Sequence, residues 1–443
     1  MKVTDDGRLS AVIHPPTAAA DGLIDSLVSP FGVVGQEYSA PAPRGADRIR
    51  FHSADVGSGR SGVSSDTAKR VRVAGRVLDD YALARFIAIA EGAERYAGKG
   101  LRDKPILCAA SELDGPVIDL DRAPRCTARE YAQPGCPVVP LDKNGPMRWV
   151  KGFDLITLRE TWLPAVMVCF GMGEVPPSER FWYRISTGHA IHTDPVEALV
   201  RAIAEVIERD ANAILWLQRL PLPLVSARRL TERSQYLIDW AERHFIETYV
   251  FDSTTDLGVP TAYCLQIARH DTHERQLVGA GAGRDIGAAS EKALLEVTTT
   301  RGISRSRMVL PQDFKEFEAF DTACHMALPE QKHAFEFLTC GLATRPVSDR
   351  ADRLPTAPPE ALADLTRRLA DSGMQAVAAD RTTRELADVG LCEVVVVIPE
   401  LQPMSLNALA QFRAHSRLYT APERMGYRCL TEEELNPWPQ PLA

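Results

Sequence analysis

The stretch Ala202-Ile-Ala-Glu205-Val-Ile-Glu208-Arg209 decides how this chain is read, because an earlier stretch, Ala88-Ile-Ala-Glu91-Gly-Ala-Glu94-Arg95, carries the same Ala-Ile-Ala-Glu-x-x-Glu-Arg string. Around both, apolar residues recur at helical spacing among good helix formers. The pattern predicts a helix over 79–96 that ends near Gly98, and a second that runs from a Thr193 or Asp194 cap, with Pro195 in its first turn, to about Leu217. Within each pair the i,i+3 spacing sets two carboxylates about one turn apart on one face. Like charges on largely apolar helices require a counter-ion. Hard oxygen donors suit Mg2+, which commonly shares carboxylates with nucleotide phosphates. The competing reading is a solvated face with weak Glu–Arg pairs, and it loses ground because the arrangement occurs twice in matched apolar surroundings.

Working outward, Glu197 lies eight residues before Glu205, roughly two turns away on the same side of the helix. Ser186-Thr187-Gly188 offers hydroxyls and a turn just ahead of that helix. A third element follows Gly279-Ala-Gly-Ala-Gly283: Asp285 leads into a helix over about 288–301 that carries Glu296 and Arg301, although an ordinary amphipathic helix would explain it alone. Strands are expected at 162–170, 182–185, 246–250, 260–268 and 393–398, the last stopped by Pro399. The segment 354–378 reads as helix and 113–146 as irregular surface. The Gly- and Ser-rich stretch 56–65, which contains Arg60, is able to bring backbone amides close to an anion. The fold class is therefore mixed α/β, of α+β type. A Pro-, Ala- and Gly-rich extension over 1–45 precedes the main domain, 46–410, and a tail over 411–443 ends in Asn436-Pro-Trp-Pro-Gln-Pro-Leu-Ala443.

Composition bounds the partners. The 443 residues are 45% hydrophobic and 25% charged with a formal charge of -8, ordinary for a globular protein and unfavourable for a general nucleic-acid or membrane-surface binder. No run approaches the roughly 18 apolar residues needed to cross a bilayer, and the start, Met-Lys-Val-Thr-Asp-Asp, has no apolar signal core, so a cytoplasmic protein is expected. Nine cysteines without a Cys-x-x-Cys pair imply reduced thiols. There is no Gly-x-x-x-x-Gly-Lys-Ser/Thr loop, and Gly281-x-Gly283-x-x-x-Gly287 is one residue too long for a dinucleotide fingerprint. His189-x-x-His192 and His270-x-x-His273 lack the neighbours of a zinc site.

Ile185-Ser-Thr-Gly-His-Ala-Ile-His-Thr-Asp-Pro-Val-Glu197-Ala-Leu, joined to Glu205-Val-Ile-Glu208-Arg209-Asp210, resembles the central signature of the YcaO family, ATP-dependent enzymes that modify peptide backbones. Asp252-Ser-Thr-Thr-Asp-Leu-Gly-Val-Pro260 and the stretch from Gly281 to Arg301 resemble the strand and final helix that follow it. The resemblance covers roughly residues 55 to 310 and the tail. It implies a YcaO-type fold with internally duplicated helix-on-sheet elements, Mg2+ held by Glu91, Glu94, Glu197, Glu205 and Glu208, and ATP contacts from Arg60, Ser186, Glu197, Arg209, Glu296 and Arg301. Ile87 and Thr299 depart from the family's frequent Ser and Gln.

Arg417-Leu-Tyr-Thr-Ala-Pro-Glu-Arg-Met-Gly426 and Pro437-Trp-Pro-Gln-Pro441 resemble the ending of azoline-forming members, the D-protein type of thiazole/oxazole-modified peptide biosynthesis. In those members the C-terminal Pro-x-Pro-x-Pro reaches into the active site, so the resemblance gives Pro437, Pro439, Pro441 and Ala443, with its terminal carboxylate, a catalytic role. The implied activity is ATP-dependent cyclodehydration of Cys, Ser or Thr in a ribosomally made precursor peptide to thiazoline or oxazoline. Thioamide or macroamidine formation would use the same ATP site, and a catalytically silent partner subunit that binds nucleotide or peptide within a complex is the other alternative. The implied partners are the precursor peptide, a leader-peptide-binding protein of the E1-like, ocin-ThiF type, a flavin dehydrogenase and a second copy in a homodimer, without nucleic acid or membrane.

Overall fold

A helix lies flat on a strand only where the strand leaves room, and glycines make that room twice. In the computed structural model, which describes residues 2–3, 9–10, 23–57, 71–101, 104–301, 310–317 and 319–442, strands β1 (Val34–Ala40), β2 (Ile49–Val56) and β3 (Arg72–Leu78) form an antiparallel sheet in that order. Helix α1 (Tyr81–Ala97) starts at Asp80, whose side chain accepts the Leu83 N–H at 2.9 Å, and folds back over the sheet. A Cβ on Gly75 of β3 would stand 1.8 Å from the Ala84 carbonyl oxygen, so no larger residue permits this contact.

Helix α2 (Pro195–Leu217) is the spine of the molecule. Asp194 caps it through the Val196 N–H at 2.8 Å, and Pro195 occupies the first turn, where no N–H is needed. Its N-terminal half packs Ala198, Leu199, Ala202 and Ile203 against Val394 and Val396 and against Leu362 and Leu365 of the helix Pro358–Asp371. Val394 and Val396 belong to a six-stranded sheet in which Ile106–Cys108, Met147–Asp154, Val377–Asp380, Cys392–Val397 and His189–His192 are neighbours in that order, with Arg159–Pro164 also paired to Met147–Asp154.

The C-terminal half of α2 packs Ile214, Leu215 and Trp216 against Phe251, Tyr263 and Leu265 of a five-stranded sheet. There β4 (Glu247–Asp252), β5 (Thr261–Ile267) and β6 (Gln276–Ala282) are antiparallel, with β6 at the edge and Leu224–Val225 and Val347–Ser348 beyond β4. Helix α3 (Ile286–Thr300) lies on β6 as α1 lies on β3. A Cβ on Gly279 or Gly281 would meet the Ala293 carbonyl oxygen at 2.4 Å or the Lys292 Cβ at 2.6 Å. This is the expected mixed α/β fold with its helix-on-sheet element present twice.

Five expectations change. The segment 162–170 is a strand only to Pro164, whose lack of an N–H ends the ladder, and Ala165–Val168 turns helical. Residues 182–185 form no strand; Arg184 donates instead to the Gly173 carbonyl at 3.1 Å. The segment 354–378 holds the helix Pro358–Asp371, stopped by Gly373 at φ +70°, and the start of the strand Val377–Asp380. The extension over 1–45 contributes β1, which pairs with β2, so 45 falls inside a hairpin. The stretch 113–146 is irregular but not superficial, since Ile118 and Leu120 are buried. Among the described residues no helix is long and apolar enough to cross a membrane.

Candidate active site

An edge strand leaves outward backbone N–H groups without ladder partners. On β3 and β6 glutamates accept them. The Ala74 N–H of β3 donates to Glu91 Oε2 at 3.3 Å, and on β6 the Ala280 N–H donates to Glu296 and the Ala282 N–H to Glu208, both at 2.7 Å. Glu205 accepts the Gly188 N–H at 3.2 Å. Gly188 has φ +85°, and a Cβ there would lie 2.4 Å from the Val396 carbonyl oxygen, so only glycine fits this turn. Backbone and carboxylates from α1, α2 and α3 thus build one cleft.

The Glu–Arg pairs considered as the alternative to metal binding are present, but they are not on a solvated face. Arg95 pairs with Glu91 at 3.2 Å and with Glu94, and Arg209 pairs with Glu205 at 3.4 Å. The Glu94 side chain is only 12% exposed and that of Glu205 25%. Burial lifts the Glu94 carboxyl to about 8 against the pull of Arg95, and the like charges of Glu205 and Glu91 push the same way as burial. Burial also raises Glu205, opposed by Arg209 and reinforced by Glu208, and it raises Glu296, opposed by Arg209. The two matched helical strings therefore place their carboxylates within electrostatic reach of each other.

Glu197 joins the same cleft, held by Arg201 at 3.0 Å and by Arg284. Among the described residues no three His, Cys, Asp or Glu side chains converge into a ready-made metal cage. Carboxylate oxygens are the donors Mg2+ takes from a protein, its shell being completed by phosphate oxygens and water. The fit to a nucleotide is supported by a buried donor without a partner, Arg284 Nη1, beside Glu197.

The other expected residues fall as follows. Arg209 stands among Glu205, Glu208 and Glu296. Ser186 lies in the turn that brings Gly188 to Glu205, with its carbonyl accepting the His189 N–H at 3.1 Å. Arg301, just after α3, donates to the Glu274 carbonyl at 2.7 Å and to Gln266 at 3.4 Å. Arg60 and Ala443 lie outside the described residues. The tail is anchored: the Asn436 N–H donates to the Leu217 carbonyl at 2.8 Å and Trp216 Nε1 to the Trp438 carbonyl at 2.9 Å. Pro437 is exposed, whereas Pro439, Pro441 and Leu442 are buried. Leu442 shares an apolar cluster with Met404, whose sulfur lies 3.9 Å from Arg209 Nη1. Between Arg209 and Met404 opens an apolar cavity of about 50 Å³ walled by Trp182, Tyr183, Ile185 and Phe412, which is what the 182–185 segment forms in place of a strand.

Two groups at the site escaped sequence reasoning. Asp210, next to Arg209, is wholly buried and held by Arg417, which also bonds Asp256. Its signal was available, because Asp210 closes one quoted string and Arg417 opens another. His189, set aside as a zinc ligand, is buried, and its Nδ1 lies 2.9 Å from Glu393 Oε1.

The model of the family described as YcaO cyclodehydratase, ATP- and Mg2+-binding, matches residues 78–402, most of the chain. The chain belongs to the YcaO family. The YcaO chain is 27% identical over 149 residues to an uncharacterized protein in the tfuA 3′ region of Rhizobium leguminosarum bv. trifolii, an alignment covering 32% of each. Its fold is similar to that of a heterocyclase in complex with substrate and cofactor, at a TM-score of 0.80 and 21% identity over 98% of this YcaO chain and 59% of the heterocyclase. It is also similar to a chain of the E. coli microcin synthetase McbBCD complex with pro-MccB17 bound, at a TM-score of 0.61 and 12% identity over 91% of this chain and 96% of that one. The YcaO chain thus spans about a third of the curated relative and under two thirds of the heterocyclase.

Proposed function

We propose that this chain is an ATP-dependent peptide cyclodehydratase that converts Cys, Ser or Thr residues of a ribosomally made precursor peptide to thiazoline or oxazoline. The observation that carries this reading is the convergence of Glu94 and Glu205, from the two matched helical strings, in a cleft ringed by arginines. ATP, when bound, supplies the phosphoryl group that turns the amide oxygen into a leaving group. Glu91, Glu94, Glu197, Glu205 and Glu208 would hold Mg2+. Arg209, Glu296 and Ser186 would orient the nucleotide, with Arg60 and Arg301 assigned to the same task by family resemblance. The apolar cavity of about 50 Å³ beside Arg209 would take a small apolar group of the reacting peptide.

The buried tail favours ring formation over thioamide or macroamidine chemistry, because Leu442 shares an apolar cluster with Met404, the neighbour of Arg209. The precursor peptide and a leader-binding protein are the proposed partners. The test uses Glu205→Gln and Glu208→Gln, which keep shape and remove the charge that a hard cation requires. Both variants should fold and lose Mg2+-dependent nucleotide turnover. Reconstitution of the unaltered chain with precursor and leader-binding protein should lower the peptide mass by that of one water per ring, detectable by mass spectrometry, as ATP is converted to ADP and phosphate. Normal ATP consumption by both variants would return the glutamates to a structural role.

A further inference from the structure

A carboxamide in the wall of the apolar cavity has an acceptor left over. Gln402 is 1% exposed. Its backbone N–H donates to Asp210 Oδ1 at 2.8 Å, which fixes it to the residue after Arg209. Its Nε2 donates to the carbonyls of Gln411 and Phe412, each at 3.2 Å, so two acceptors orient the amide and Oε1 is turned away from them. Those carbonyls are themselves steadied, since the Gln411 and Arg413 N–H groups donate to Glu130 at 2.7 and 3.0 Å. Among the described residues the buried Oε1 has no hydrogen-bond partner. An orphan among satisfied neighbours calls for an occupant that brings a donor. Gln402 lines the cavity together with Ile185, Thr187, Arg209, Met404 and Phe412. At about 50 Å³ the space is well short of the roughly 150 Å³ that holds a benzene ring, so the occupant is small.

We propose that this cavity receives the reacting side chain of the precursor peptide and that Gln402 Oε1 accepts its hydroxyl hydrogen, which makes Gln402 a determinant of oxazoline against thiazoline formation. This rests on the cyclodehydratase reading above. Cys, Ser and Thr share what the cavity calls for, one or two small carbons to lie on an apolar wall and a single X–H donor. They differ in the strength of that donor, since a hydroxyl donates fully and a thiol weakly. A buried acceptor therefore contributes more to holding Ser or Thr than Cys, because a site built to bond a hydroxyl leaves its own group unpaired when the hydroxyl is missing. The contact binds and orients the side chain. A neutral carboxamide takes up no proton, so Gln402 is not the base for the attack.

Matched precursor peptides bearing a single Ser or a single Cys at the same position are followed by mass spectrometry with the full chain and the leader-binding protein, giving kcat/KM for each. Gln402→Met removes the acceptor and should lower kcat/KM for the Ser peptide by about tenfold or more, the scale of one buried acceptor left unpaired, and for the Cys peptide by no more than about threefold. Gln402→Glu, kept protonated by burial beside two carbonyls, retains a free acceptor oxygen and should restore most of the Ser activity. Ile185→Trp fills the cavity while leaving Gln402 in place, and should abolish ring formation in both peptides while Mg2+-ATP binding, read by titration calorimetry, persists. Equal losses for the two peptides with Gln402→Met, no loss for either, or full activity of Ile185→Trp would overturn the assignment while leaving the cyclodehydratase reading intact. Failure of the unaltered chain to close a ring in either peptide would instead remove that reading and this proposal with it.

Discussion

Replacing Arg417 by methionine isolates the contact that ties the tail to α2. Its guanidinium donates to both oxygens of Asp210, at 2.9 to 3.2 Å, and to both oxygens of Asp256, at 2.7 and 2.9 Å. The side chains of Arg417 and Asp210 are 3% and 0% exposed. Asp256 keeps a second cation, Arg424 at 3.5 Å, whereas among the described residues Asp210 keeps only the Gln402 N–H at 2.8 Å. The variant therefore strands one fully buried carboxylate, and removal of one partner from such a pair costs about 3–5 kcal/mol. Burial already raises the Asp210 carboxyl against the pull of Arg417, so losing the arginine raises it further. An acid whose folded value lies above its unfolded one is most stabilising when protonated, and that contribution disappears as pH rises through the folded value. The variant's deficit should therefore be larger at pH about 8 than at about 5, measured by urea unfolding of both proteins at each pH. Adding Asp210→Asn should recover part of it. A deficit below about 1 kcal/mol at the higher pH, within the range of an exposed pair, would refute the reasoning.

Gly75→Ala should force α1 off β3, destabilising the protein by about 1–3 kcal/mol and abolishing Mg2+-ATP binding; a variant with unchanged melting and binding would contradict the close contact. Removing Leu442 and Ala443 should lower stability by roughly 1.5–3 kcal/mol for the lost leucine burial and reduce ring formation more than ATP binding, and unchanged melting would mark the end as frayed. Because the Glu94 carboxyl sits at about 8 against an ordinary 4.5, its contribution to metal-free stability is complete below about 4.5 and lost as pH rises through about 8. Glu94→Gln should flatten that decline in a thermal melt series, and a parallel curve for variant and parent would exclude Glu94 as its source.

The helices were the legible part. Apolar spacing, Asp194 and Pro195 fixed two of them to within a few residues, and the repeated string pointed to carboxylates that the fold does bring together. Local pattern failed where position in a sheet outweighs it. The strands β1, β2 and β3 are mixed in polarity because one sheet carries both a helix-covered face and a wetter one. Residues 182–185 look like a strand because their aromatic and β-branched side chains are apolar, but those side chains line a cavity. The anchoring of Asp210 by Arg417, and the placement of Lys292 and Arg284 around Glu208 and Glu197, depend on contacts between residues far apart in sequence, which no periodicity reports.

The glutamates that cap β3 and β6 have a consequence apart from chemistry. A bare strand edge is a template on which another chain can add itself, and proteins blunt such edges with charge or cover. Here Glu91, Glu208 and Glu296 occupy the very N–H groups that an incoming strand would seek. An inactivating change at one of them, such as Glu296→Ala, therefore opens a docking rail as well as removing a ligand. Loss of solubility would then accompany loss of catalysis, and a pseudo-enzyme descended from this fold would keep Glu91 and Glu296 long after it had ceased to bind nucleotide.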